Sequence, residues 1–234
     1  MPLRIAIIGN GKMGRAVAAL AIERGHTIHT VVDAAENEAG HALTPERLRG
    51  ADVAVEFTHP AAAPVNLRQL IEAGIPTVTG TTGWSEEMPR LQALVAERRG
   101  ALLHAANFSI GVHLFLRTAR ELARAFAGRP EFDAFVVEEH HAAKVDAPSG
   151  TGLILQQRLR EGDSGRTFPI TSIRAGSIPG NHAVVYDGAF ETVRLSHMAR
   201  SRQVFAAGAL AAAEWLPGRH GVFTFEDMLF GEAS

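Results

Sequence analysis

The stretch that decides the fold is Arg4-Ile5-Ala6-Ile7-Ile8-Gly9-Asn10-Gly11-Lys12-Met13-Gly14. A continuous apolar run of strand length leads into three glycines spaced G-x-G-x-x-G, and an amphipathic stretch of helical length, Lys12 to Arg24, follows and stops at Gly25. Each glycine has a physical role in such a strand-to-helix turn. Gly9 permits the tight turn, Gly11 lets backbone N–H groups approach an anion, and Gly14 lets the helix pack closely on the strand. The positive end of the helix then faces the anion, so Gly9, Asn10, Gly11, Lys12, Met13 and Gly14 are candidates to hold the pyrophosphate of a dinucleotide. Asp33 stands about 20 residues further on, at the end of a second strand, where a carboxylate can accept from ribose hydroxyls.

The same alternation continues outward. Apolar runs at Arg4 to Ile8, Ile28 to Val32, Val53 to Phe57, Pro76 to Thr79 and Ala101 to Ala105 are separated by helical stretches such as Ala62 to Ala73, and Ser85 is placed to cap another helix. Strands that are apolar on both faces, alternating with helices, predict a Rossmann-type α/β domain, a doubly wound parallel sheet. Gly80-Thr81-Thr82-Gly83 and Ala105-Ala106-Asn107-Phe108 fall at carboxyl ends of the fourth and fifth strands, the edge where such sheets bind ligands. Their small residues and hydroxyls suit close approach of a nicotinamide, so Gly80, Thr81, Thr82, Ala105, Ala106, Asn107 and Phe108 join the cofactor candidates. The residues after Asp33 are Ala34-Ala35-Glu36-Asn37, with no arginine to hold a 2′-phosphate. NADH is therefore the expected preference, with Lys12 leaving NADPH usable.

After Asn107 the pattern changes. One helix, Gly111 to Phe126, precedes candidate strands Phe132 to Glu139, Ile170 to Arg174, His182 to Tyr186 and Glu191 to His197, punctuated by Gly, Pro, Asn and Asp. This predicts a second α+β domain with an open mixed sheet. A long apolar helix, Ser201 to Trp215, and an apolar tail, Gly221 to Phe230, complete the chain.

Composition narrows the function classes. The chain has 234 residues, 46% hydrophobic and 21% charged, with net charge −2, so no basic field exists to neutralise nucleic acid or an anionic membrane. Cysteine is absent, which excludes disulfides and thiolate metal sites. The opening residues lack a signal-peptide h-region, and no apolar run approaches the ~18 residues of a membrane span. A cytoplasmic location is expected.

The densest polar constellation is Glu138-Glu139-His140-His141-Ala142-Ala143-Lys144-Val145-Asp146-Ala147-Pro148-Ser149-Gly150-Thr151-Gly152. It lies where a strand ends and a helix begins. Ser149 is a plausible N-cap, with the N–H groups of Gly150 and Thr151 facing outward as a carboxylate site and Lys144 adding a point charge. A histidine here can shuttle a proton, and a lysine can protonate an atom that receives electron density from a hydride. Adjacent histidines on extended backbone point to opposite sides and no third ligand has an obvious spacing, so no metal is expected. The setting of Ser149 does not match a hydrolase elbow. His26, His29, His59, His104 and His113 read as structural.

The run Glu139 to Thr151 resembles the signature of bacterial dihydrodipicolinate reductases. The resemblance extends to the glycine turn, Phe57-Thr58-His59-Pro60, Gly80 to Gly83, Ala106 to Ser109, Arg174-Ala175-Gly176 through Gly180-Asn181-His182, and His197 to Arg202 with Phe205-Ala206, and so covers nearly the whole chain. It implies NAD(P)H-dependent reduction of a cyclic dicarboxylate, 4-hydroxy-tetrahydrodipicolinate or the dihydrodipicolinate formed from it, to tetrahydrodipicolinate in lysine and diaminopimelate synthesis. It further implies that His140 exchanges a proton, that Lys144 donates one, and that His141, Gly150 and Thr151 bind the substrate carboxylate. A homotetramer joined through the second-domain sheets is implied too, as is a C-terminal segment returning to the cofactor domain. This gives a dinucleotide-binding domain of residues 1–107 and 213–234 and a substrate-binding and oligomerisation domain of 108–212. Against the family pattern the glycine turn is short by a residue, Glu139 replaces a frequent small residue beside His140, and the connection around Glu161 to Arg166 is short. The rival readings are another two-domain dehydrogenase and a non-catalytic NAD(H)-binding sensor.

Overall fold

The computed structural model describes residues 1–231. Two compact units form, one of Met1–Ser109 together with the chain from Gln203 on, the other of Ile110–Arg202.

The first unit begins with β1 (Arg4–Ile8), α1 (Lys12–Glu23), β2 (Thr27–Val32), α2 (Pro45–Leu48), β3 (Val53–Glu56), α3 (Ala63–Glu72), β4 (Thr77–Thr79), α4 (Met88–Arg98) and β5 (Ala101–His104). The second unit runs α5 (Ile110–Phe126), β6 (Asp133–His140), α6 (Gly150–Gly162), β7 (Ile170–Arg174), β8 (Asn181–Asp187) and β9 (Thr192–Met198). The chain then completes the first unit with α7 (Gln203–Trp215), β10 (Gly221–Thr224) and α8 (Phe225–Phe230).

The first sheet is parallel throughout, in the order β10-β5-β4-β3-β1-β2. Its central strands are apolar on both faces: Ile5, Ile7, Val53 and Val55 pack towards α1 and α7, while Ala6, Ile8, Val32 and Ala54 pack towards Leu43, Leu48 and Leu70. The strand order reverses at β1, between β2 and β3, and the glycine turn leaves the sheet at that point. The sixth strand, β10, lies within the stretch read only as an apolar tail. Its four residues pair in register with Ala101–His104 of β5.

The return to the first unit comes ten residues earlier than the expected boundary at 213, because α7 belongs there whole. Ala206, Ala209, Leu210, Ala212 and Ala213 all enter the first core beside Val17 and Ala21 of α1. A helix apolar on nearly every side must be covered, and this sheet face together with α1 covers it.

The second sheet has the order β7-β6-β8-β9, with β6 parallel to β7 and antiparallel to β8, and β8 antiparallel to β9. Alternate residues of β6 and β8 (Ala134, Val136, Val184, Tyr186) bury against Val112, Phe115, Leu116 and Ala119 of α5 and Leu155 and Leu159 of α6. The short connection after α6 is held by Arg166, which pairs with Asp163 at 3.1 Å and donates to the carbonyls of Phe126, Arg129 and Phe132. Among the described residues no helix is long and apolar enough to cross a membrane.

Candidate active site

In the first unit the site is built mainly from backbone. Gly9 has φ +102°, and a Cβ there would lie 2.1 Å from the Phe57 carbonyl oxygen. A Cβ on Gly14 would lie 1.9 Å from the Gly9 carbonyl oxygen, so neither position admits a side chain. Gly11 is different. A Cβ there meets nothing within 4 Å, and Gly11 is exposed at the N-cap of α1, which no side chain caps. The first N–H groups of a helix have no intrahelical acceptor, and this end of α1 offers them outward. Arg15 steadies the turn by donating to the Asn10 carbonyl at 3.0 Å. Lys12 is exposed and Met13 half-buried.

Asp33 lies just past β2, half-buried, and its Oδ1 accepts from the Ala35 amide at 3.1 Å. A cavity of about 410 Å³ adjoins this loop, lined by Ala34, Ala35, Asn37, His59, Val65 and Asn66 among others. A second cavity, of about 420 Å³, is lined by Thr81, Thr82, Trp84, His104, Ala105 and Ala106 among others. His59 and His104, read from the sequence as structural, therefore border open space. Burial pushes the His104 imidazole below its usual range, with Asp227 opposing. The Gly80-Thr81-Thr82 loop is fixed from beneath by Glu56, a fully buried carboxyl group at the end of β3. Glu56 accepts from the Thr58 amide at 3.1 Å, from Thr81 Oγ1 at 3.1 Å, from Thr79 Oγ1 at 2.5 Å and from the Thr58 hydroxyl. Sequence reasoning missed this residue, although an acid within an otherwise apolar strand was a visible signal. Asn107 Oδ1 accepts from the Ser109 amide at 2.8 Å, and Phe108 is buried edge-on between Phe57 and Phe225. These are the sites that a dinucleotide requires: an uncapped helix start, a room-giving glycine and cavities beside the flanking strand ends.

In the second unit the site is built from side chains. β6 alternates, so Glu138 and His140 share its helix-covered face and both are buried. His140 Nδ1 lies 2.5 Å from Glu138 Oε2. Glu138 Oε1 accepts from an Arg174 terminal nitrogen at 2.7 Å, and the same nitrogen donates to the Asp146 carbonyl at 2.6 Å. Burial alone would raise the Glu138 pKa, but hydrogen bonds from Arg174 and Ser172 and the nearby His140 outweigh it and hold it down at about 2. For His140 burial wins and lowers the pKa; Glu138 opposes that, and Lys144 and Arg174 add to it. Glu139 points the other way, accepting from Asn181 Nδ2 at 2.8 Å. The acid that meets His140 is thus two residues before it, not the adjacent one.

Lys144 Nζ is 2.6 Å from Asp146 Oδ1, in the loop between β6 and α6. Ser149 caps α6, its Oγ accepting from the Gly152 amide at 3.1 Å, and beyond Gly150 nothing lies within 4 Å of where a Cβ would stand. Gly150 is exposed, and Thr151 and His141 are half-buried. His182, from β8, reaches Ser149 Oγ at 3.1 Å, and its ring stands 5.1 Å from that of His140. Strand pairing brings it there: Ser172, Glu138, His182 and His197 form one lateral row across β7, β6, β8 and β9. His182 supplies the third donor that spacing along the chain did not offer, since one ligand atom each of Glu138, His140 and His182 fall within 4.8 Å of one another. Nδ1 approaches Oε2 directly at 2.5 Å, and Arg174 occupies the other carboxylate oxygen. The cluster is a set of close polar contacts centred on the Glu138 carboxylate.

The chain was compared with known proteins. Residues 3–108 match the N-terminal part, and residues 111–229 the C-terminal part, of a family described as dihydrodipicolinate reductase. A 4-hydroxy-tetrahydrodipicolinate reductase of Thiobacillus denitrificans is 35% identical, with 98% of this chain and 99% of the relative covered. One of Christiangramia forsetii is 33% identical, with 97% and 98% covered. Among solved structures, a dipicolinate-bound dihydrodipicolinate reductase from Paenisporosarcina sp. TG-14 shares the fold with a TM-score of 0.81 at 22% identity, over 97% of this chain and 99% of that one. With both parts matched in order and relatives aligned end to end, the chain belongs to the dihydrodipicolinate reductase family of oxidoreductases.

Proposed function

We propose that the chain catalyses the reduction of 4-hydroxy-tetrahydrodipicolinate, or of dihydrodipicolinate formed from it, to tetrahydrodipicolinate in lysine and diaminopimelate biosynthesis. One observation carries the reading: a buried, carboxylate-paired His140 and the Lys144 cation stand beside the open, serine-capped start of α6. When bound, the nicotinamide cofactor supplies the hydride. The N–H groups at the start of α1 hold its pyrophosphate, Asp33 its ribose, the cavity at Ala34 and His59 its adenosine half, and that at Thr81 and Ala105 its nicotinamide half. Gly150 and Thr151 present amides to a substrate carboxylate, with His141 alongside. Lys144 gives a proton to the substrate atom that gains electron density, and His140 exchanges a proton at the same site.

Either nicotinamide cofactor serves, with NADH preferred. Arg47, which reaches the loop after β2, is committed to Glu36 at 2.8 Å, to Thr30 Oγ1 at 3.0 Å and to the Val31 carbonyl at 2.7 Å, leaving it unavailable to a 2′-phosphate. The second sheet leaves Phe135, Val137 and Met198 partly or fully exposed on the face away from α5 and α6, a surface suited to pairing with another copy in a homotetramer.

The test couples the aldol product of pyruvate and aspartate semialdehyde to oxidation of NADH or NADPH. Oxidation with both cofactors, and a higher kcat/KM for NADH, is expected. No oxidation above background with either removes the reductase reading, and a strong NADPH preference removes only the cofactor assignment. Light scattering that returns a monomer removes the tetramer.

A further inference from the structure

We propose that Glu138 is a positioning residue for proton transfer: it grips Nδ1 of His140, with Arg174 fixing the carboxylate, so that the ring presents Nε2 to the substrate. This rests on the reading of His140 as the group that exchanges the proton.

The geometry has three parts. Glu138 and His140 are two residues apart on one strand, so their side chains rise from the same face, and Nδ1 meets Oε2 at 2.5 Å. The carboxylate cannot swing away, because Oε1 is tied to Arg174 at 2.7 Å and lies 3.4 Å from the Ser149 amide. On the far side of the ring is Gly180, with φ +151°, where a Cβ would stand 3.2 Å from Nε2. A hydrogen in that place leaves Nε2 uncrowded.

The neighbouring imidazole has a different partner. Ser149 Oγ, which accepts from the Gly152 amide at 3.1 Å, lies 3.1 Å from His182 Nε2, so the partner of that ring is a neutral hydroxyl and not a carboxylate. Burial, chiefly, lowers the pKa of His182 to about 4, so it stays neutral where His140 works. Two histidines 5.1 Å apart are thereby distinguished: the 2.5 Å approach of His140 Nδ1 to a carboxylate oxygen needs a proton between the two atoms, which favours the tautomer with Nδ1 protonated and Nε2 free. The charged and titratable groups acting on His140 are Glu138 on β6, Lys144 in the following loop, Arg174 on β7 and His182 on β8. Of these only Glu138 favours the protonated ring.

The experiment uses the full-length chain, Glu138→Gln and Glu138→Asp. Nitrogen-15 NMR of histidine-labelled protein, without substrate, is expected to show neutral His140 with its proton on Nδ1. In Glu138→Gln that preference is lost and His140 titrates at lower pH than in the wild type. In turnover, kcat falls about 10- to 100-fold with substrate KM nearly unchanged, the limb of the kcat–pH profile that follows His140 moves to lower pH, and Glu138→Asp recovers part of the loss. Wild-type His140 carrying its proton on Nε2 overturns the proposal, as does a Glu138→Gln protein with unchanged kcat and unchanged His140 titration. Should Glu138→Gln not fold, the wild-type tautomer and Glu138→Asp decide the matter. A chain that oxidises no cofactor sinks the reductase reading while the tautomer result still stands on its own.

Discussion

The molecule buries two glutamates at the carboxyl ends of strands, Glu56 in the first unit and Glu138 in the second, and surrounds them differently. Glu56 is met by three threonine hydroxyls and an amide. Glu138 is met by a guanidinium and an imidazole. Hydroxyls can turn their protons to suit either protonation state and so fix the shape of a loop. A guanidinium commits the carboxylate to its charge, and an imidazole beside it then inherits an orientation and a proton affinity. The same division runs through both units: backbone groups held in place by small residues in the first, side chains poised by charge in the second.

The largest expected effect falls on the side-chain half. His140→Gln and Lys144→Ala should each lower kcat by roughly 100-fold or more, with the dissociation constant for the dinucleotide unchanged. Wild-type turnover in either variant would erase the contrast. Next comes acid stability. The His182 pKa is depressed from 6.5 to about 4, so the unfolded chain binds its proton first; stability from this group is complete above pH 6.5 and lost as pH falls towards 4, about 3 kcal/mol in all. The protection of β6 and β8 amides, corrected for the pH dependence of intrinsic exchange, should fall over that interval, and His182→Gln should flatten the slope. A protein whose corrected protection there is indifferent to pH contradicts the assignment.

The backbone half is separated by two glycines. Gly11→Val should leave the melting temperature of the ligand-free protein nearly unchanged, since a Cβ there meets nothing, while weakening dinucleotide binding about tenfold or more. Gly14→Ala, with its Cβ 1.9 Å from a carbonyl oxygen, should instead lower stability itself. Equal melting of the two variants breaks the argument. The smallest effect belongs to Glu56→Gln, about 1–2 kcal/mol of stability measured by denaturant, with kcat per folded molecule preserved because nothing in its surroundings is tied to a charge. A lowered kcat there would show that the two glutamates are more alike than their partners suggest.

Much of this was legible in the sequence. The run from Arg4 to Ile8 gave the first strand residue for residue, and the glycines, Asp33, Lys144 and the Ser149 cap are local features whose partners lie within a few positions. β10 was not legible: its four residues are half-buried and show no alternation, and they are a strand only because β5 lies beside them. The Glu138, Arg174 and His182 network was illegible for a related reason. Arg174 is 36 residues from Glu138, and His182 is 33 from Ser149, distances that only strand pairing closes. Glu139, adjacent to His140 in sequence, was the more conspicuous acid, but the pleat turns it away.

The chain order of the two units has a consequence for biosynthesis. The second unit is inserted whole between Ser109 and Gln203, whereas the first lacks α7 and its edge strand β10 until the chain beyond Arg202 has been made. On the ribosome the later-starting unit is therefore the earlier to finish. Until α7 arrives, Ile5, Ile7, Val53 and Val55 lack one of the two helices that cover them, and β5 presents an unpaired edge. The nascent protein is most exposed to aggregation in the half that began first, and its final 30 or so residues act as the closing stroke of assembly.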